Sequence, residues 1–61
     1  MNMLRCIAID DEPIALSIIE EYCRRMGNIA LQCFTSPVEG MDAVARMKPD
    51  ILFLDIVKGG R

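Results

Sequence analysis

A chain of 61 residues, 52% hydrophobic and 26% charged, has the composition of one small globular domain and not of a disordered segment. Its net charge of −2 gives no basic footprint for nucleic acid or an anionic membrane. No apolar run approaches the ~20 residues of a membrane span, and Arg5 breaks up what would otherwise be the start of a signal peptide, so the expected location is the cytoplasm.

Residues 4–9 are apolar apart from Arg5 and predict a strand covered on both faces, as a central parallel strand is. Asp10-Asp11-Glu12 follows, and Pro13 suits a first helical position, where its missing N–H costs nothing. The helix is predicted to run to Met26, burying a stripe of Ile14, Ile18, Tyr22 and Met26 with Ala15 and Ile19 beside it. Gly27 supplies the left-handed stop. A second strand spans 29–34. Ser36-Pro37-Val38-Glu39 has the form of a capping box. It starts a second helix over 37–47 that is expected to bury Val38, Met41, Val44 and Ala45, with Gly40 and Asp42 as weak points and Pro49 as the stop. Residues 51–54, Ile-Leu-Phe-Leu, form the third strand.

Helices alternating with strands imply parallel pairing. The predicted fold is α/β: the βαβαβ half of a flavodoxin-like doubly wound sheet in the order 2-1-3, with the two most apolar strands as neighbours. In such a sheet ligands bind outside the carboxyl ends of the strands, where the chain switches direction. The first strand runs into Asp10 and Asp11, and the third into Asp55.

Three carboxylates at one sheet edge repel one another unless a cation or a proton compensates. A hard oxygen set with open space suits Mg²⁺, which takes one or two carboxylates and keeps several waters. A carboxylate beside such an ion can act as a nucleophile toward phosphorus. The bland alternative for each acid taken singly is a helix cap or turn residue, above all for Asp11 just before Pro13. Competing motifs are missing: residues 51–55 read like a Walker B strand without a Walker A loop, and Asp10-Asp11-Glu12 stands where a Rossmann glycine motif belongs. Val57 occupies the place of the second Asp of a haloacid-dehalogenase-type phosphatase. Cys6, Cys23 and Cys33 are odd in number, lack C-x-x-C spacing and lie in or beside apolar stretches, so they read as buried free thiols. The absence of His weakens a zinc site further.

Ile7-Ala8-Ile9-Asp10-Asp11-Glu12-Pro13, Lys48-Pro49-Asp50-Ile51-Leu52-Phe53-Leu54-Asp55-Ile56 and the 44-residue step from Asp11 to Asp55 resemble the first half of a response-regulator receiver domain of two-component signalling. The Asp-Asp-Glu-Pro start looks most like receivers that precede LytTR-type DNA-binding domains. The resemblance covers nearly the whole chain. It implies that Asp55 is the phosphoacceptor, that Asp11 binds Mg²⁺ directly, that Asp10 acts through a metal-bound water and that the backbone carbonyl of Val57 is a further ligand. It implies a sensor histidine kinase as donor, replaceable by acetyl phosphate, a parent protein that regulates transcription, and no enzymatic turnover. This segment itself is not expected to touch nucleic acid.

Two departures stand out. Lys58 and Gly59 occupy the places where the family often has Met-Pro, which implies a looser loop. A receiver is a (βα)5 fold, and the Thr/Ser after its fourth strand and the Lys after its fifth have no counterpart here, so residues 1–61 are expected to be a truncated receiver. A third strand left uncovered is an apolar edge, and the further expectation is a homodimer or aggregate through residues 50–56. The rival functions are an inactive dimerising fragment and a Mg²⁺-dependent phosphotransferase or phosphatase on a similar sheet.

Overall fold

The computed structural model describes residues 3–55. The elements follow the order β1 (Leu4–Asp10), α1 (Pro13–Met26), β2 (Ile29–Phe34), α2 (Pro37–Met47) and β3 (Ile51–Asp55). The strands form one parallel sheet in the order β2-β1-β3. The expected α/β fold and strand order are therefore present. Both strands of the acid edge, β1 and β3, run one residue further than the apolar runs alone suggest, because Asp10 and Asp55 still pair in register. Among the described residues no helix is long and apolar enough to cross a membrane.

β1 is the centre of the sheet. Cys6, Ile7, Ala8 and Ile9 are all buried. Side chains alternate along a strand, so β1 serves two layers. Ile7 and Ile9 meet Ala43 of α2, with Phe34, Val44 and Met47 packed around them. Cys6 faces the other way and touches Cys23 of α1. The two helices thus lie on opposite faces of the sheet.

The helix ends follow the sequence closely. Gly27 adopts φ 87° and donates its N–H to the Cys23 carbonyl at 3.2 Å, a left-handed cap that a side chain would strain. Ser36 accepts the Glu39 N–H at 3.3 Å, the forward half of a capping box. α2 ends on Lys48, left-handed at φ 51° and the one non-glycine residue with positive φ among those described. That conformation costs a non-glycine residue roughly 1 kcal/mol.

The helix stripes differ from expectation. On α1 it is Leu16 and Cys23 that are buried, with Ala15 and Ile19 half-buried. Ile14 and Ile18 are 73% and 67% exposed, and Tyr22 and Met26 are exposed too. The apolar residues of α1 span one broad arc, and the sheet takes the side of it through Leu16 and Cys23. On α2 Val38 is 80% exposed, and Met41 and Ala45 are also exposed, while Val44 is half-buried and Gly40 and Ala43 are buried. The cause is close approach. A Cβ placed on Gly40 would stand 2.5 Å from Cδ1 and 2.6 Å from Cγ1 of Ile9, so α2 sits on the sheet through its smallest residues. Gly40, a weak point by helix propensity alone, is what lets the layer close.

A clamp that the sequence did not announce holds β3 to β1 at the start of both strands. The Arg5 N–H donates to Asp50 Oδ2 at 2.8 Å, the Asp50 N–H donates to the Arg5 carbonyl at 2.8 Å, and Arg5 Nη2 donates to the Lys48 carbonyl at 3.1 Å. Among the described residues no helix packs closely on β3, and Leu52, Phe53 and Leu54 are exposed.

Two stability measurements check this packing. Gly40→Ala is expected to destabilise by about 1–3 kcal/mol in urea unfolding, because overpacking against Ile9 outweighs the gain in helix propensity. Leu16→Ala is expected to cost about 2–5 kcal/mol, whereas Ile18→Lys should stay within about 0.5 kcal/mol of the parent.

Candidate functional site

The acid edge is built by three local rules. β1 and β3 are parallel neighbours, so their carboxyl ends coincide, and Asp10 and Asp55 are register partners. Strand spacing of about 4.8 Å brings the two residues side by side, with their side chains on the same face. The turn into α1 then places Asp11 next to them.

The three acids differ in environment. Asp10 is only 4% exposed, and its Oδ1 accepts the Glu12 N–H at 2.9 Å. That bond ties the end of β1 to the start of α1. Glu12 is the helix N-cap residue but contributes no side-chain cap, and its carbonyl accepts the N–H groups of Ala15 at 3.1 Å and Leu16 at 3.3 Å. Among the described residues no donor holds the other oxygen of Asp10. Asp11 and Asp55 are exposed. The amino end of α1 adds a partial positive charge beside the acids.

The structure brings Asp10 and Asp55 together as paired neighbours and leaves Asp11 beside them. Among the described residues the acids do not close into a ready-made cage of three metal ligands. The oxygen-only donor set fits a cation that keeps most of its waters and takes one or two carboxylates. Val57, expected to add its carbonyl, lies outside the described residues, as do Lys58 and Gly59. Two surface concavities lie elsewhere. One is lined by Phe34, Val38, Glu39, Asp42 and Arg46, and the other runs along the outer side of α1 from Ile14 to Arg25. Neither reaches the acid edge.

The cysteines are free thiols. Cys6 and Cys23 are buried against each other, and burial pushes the Cys6 thiol up from its ordinary value. Cys33 is half-buried, and burial, helped by the nearby Glu20 carboxylate, pushes it up to about 11. All three stand apart from the acid edge, and the raised thiols are poor nucleophiles.

Comparison with known proteins gives one relationship. The chain is 36% identical over 56 residues to the transcriptional regulatory protein BtsR of Escherichia coli strain K12. The same identity holds to the BtsR proteins of Escherichia coli O6:H1 and Shigella flexneri. The match takes in 88% of this chain and 23% of each relative, so the chain spans about a quarter of the length of the proteins it matches. No family model matches the chain, and no solved structure does.

Thiol chemistry checks the reading of the cysteines. At pH 8 Cys33 is expected to react with iodoacetamide roughly 100-fold more slowly than a free thiol, in line with its depleted thiolate fraction, and the rate should still be climbing between pH 9 and 11. Mass spectrometry of the alkylated chain reads this directly.

Proposed function

We propose that this chain is the phosphoacceptor portion of a response regulator, taking a phosphoryl group on Asp55 with Mg²⁺ as the cofactor. The observation that carries the reading is the register pairing of Asp10 with Asp55 at the carboxyl end of a parallel 2-1-3 sheet. The similarity to a transcriptional regulatory protein supports it independently, as does the resemblance to receivers, whose motif acids fall at Asp10, Asp11 and Asp55.

In this reading Asp55 is the nucleophile. It is exposed, so a phosphodonor reaches it without an opening motion. One carboxylate oxygen attacks phosphorus, an O–P bond forms, and the bond from phosphorus to the donor breaks with its electron pair leaving on the donor. The product is an acyl phosphate on the chain. Asp10, oriented by the Glu12 N–H, and the exposed Asp11 would hold the ion, with Asp55 and the carbonyl of Val57 completing the set. Mg²⁺ supplies neutralisation of the charge that gathers on the transferring group. The donor is a sensor histidine kinase, or a small acyl phosphate in its place. The chain is labelled once and does not turn over, and the parent protein regulates transcription in the cytoplasm.

Mass spectrometry after incubation with acetyl phosphate and Mg²⁺ tests this. One phosphoryl group per chain is expected. It should be absent in Asp55→Asn and when the ion is removed with EDTA. Continuous release of phosphate, many equivalents per chain, would instead identify a phosphatase on a similar sheet. Failure to label the parent chain at all would leave an inactive dimerising fragment and overturn the proposal.

A further inference from the structure

In a parallel ladder, a residue facing the next strand gives its N–H to the residue before its register partner. It takes an N–H from the residue after that partner. Leu4 gives its N–H to the Asn28 carbonyl, on the β2 side, so by alternation Arg5, Ile7 and Ile9 turn their backbone groups to β3. Ile7 and Ile9 stand opposite Leu52 and Leu54, and Ile51, Phe53 and Asp55 therefore address β1. Arg5 continues this register opposite Asp50, where the same rule asks for the Pro49 carbonyl. Asp50 takes that place itself. Its Oδ2 accepts the Arg5 N–H at 2.8 Å, and its N–H donates to the Arg5 carbonyl at 2.8 Å. Arg5 Nη2 reaches on to the Lys48 carbonyl at 3.1 Å, so one residue of β1 grips the connection from α2 at two points.

We propose that Asp50 is a positioning residue: its carboxylate fixes the register of β3 on β1 and so sets Asp55 opposite Asp10. The inference rests on the phosphoacceptor reading for what that pairing does. The apolar side chains of β3 do not choose the register. A slip of two residues keeps each side chain on its face, and it puts Phe53 and Leu54 where Ile51 and Leu52 stand, apolar for apolar. The connection between Met47 and Ile51 is three residues, 48–50, and it can lengthen but not shorten without unwinding α2. The accessible slip therefore brings Leu52 opposite Arg5. There the Arg5 N–H meets an ordinary ladder acceptor, the Ile51 carbonyl. Asp55 falls opposite Ala8, about 7 Å back along β1 from Asp10. The Asp50 carboxylate has the Arg5 N–H as partner in the observed register and loses it in the slipped one, so this side chain weighs against the slip.

Nuclear magnetic resonance and phosphoryl labelling of the full chain test this. Cross-strand Overhauser contacts in the parent are expected to place Leu54 beside Ile9 and Asp55 beside Asp10. In Asp50→Ala these should weaken and be joined by contacts between Asp55 and Ala8, while those between β1 and β2 persist. Labelling by acetyl phosphate and Mg²⁺, per folded chain, should fall about tenfold or more, because a displaced nucleophile forfeits its proximity to the ion. Asp50→Asn keeps an acceptor oxygen and should label within about twofold of the parent. Leu16→Ala loses stability without touching β3 and should label at the parent rate per folded chain, which separates positioning from general destabilisation. If Asp50→Ala does not fold, Asp50→Leu combined with Leu52→Asp moves the acceptor two places along the strand, and Asp55 should then lie beside Ala8. Cross-strand contacts in the parent register alone in either variant, or Asp50→Ala labelling as fast per folded chain as Leu16→Ala, would overturn the proposal. A parent chain that takes no phosphoryl group overturns the phosphoacceptor reading instead, and the contacts then decide by themselves whether Asp50 sets the register.

Discussion

Burial of β1 on both of its faces is the constraint from which the rest of the molecule follows. Four consecutive residues, Cys6 to Ile9, are removed from water. That is possible only with a strand on either side for the backbone and a helix on either face for the side chains. β2, β3, α1 and α2 fill those four places. Each of the other elements keeps at least one side in water. In a chain this short there is one interior, and it is a strand wide.

The same constraint explains the acid edge. A strand apolar on both faces has to end in something that stops it, and Asp10 does so while remaining almost buried. Its Oδ1 is satisfied by the Glu12 N–H, which makes the burial tolerable. Asp55 stands at the end of β3, on which no helix packs closely among the described residues, and it is exposed. Two carboxylates in register thus occupy different environments. One is held rigid and half-occupied by a backbone donor, and the other is open to solvent. In the proposed phosphoacceptor reading the two would take unequal roles, Asp10 as a positioned ligand and Asp55 as the nucleophile.

Element boundaries and strand order were legible in the residues because they rest on local chemistry: Pro13 and Pro37 at helix starts, Gly27 at a helix end, and apolar runs of strand length. The acid edge was legible for the same reason, since parallel strands bring their carboxyl ends together whatever else the fold does. Helix phase was not. α1 has apolar residues on more than half its circumference, and four-residue spacing picks out Ile14, Ile18 and Tyr22 as readily as the arc through Leu16 that meets the sheet. α2 hides its contact in small residues, Gly40 and Ala43, which carry little hydrophobic signal but allow the closest approach. The Arg5–Asp50 clamp joins residues far apart in the chain and leaves no local pattern to read.

That clamp sets the order in which the molecule comes apart. β2 is tied to the centre by a helix that covers both strands, whereas β3 is tied by its ladder to β1 and by the Arg5 contacts at one end. The loop it closes is the longest in the described chain. Separation of β3 from β1 that begins at Asp55 parts it from Asp10 before any of the buried layer is disturbed. The lifetime of the paired acids is therefore that of a single strand's attachment, and it can be far shorter than the lifetime of the fold.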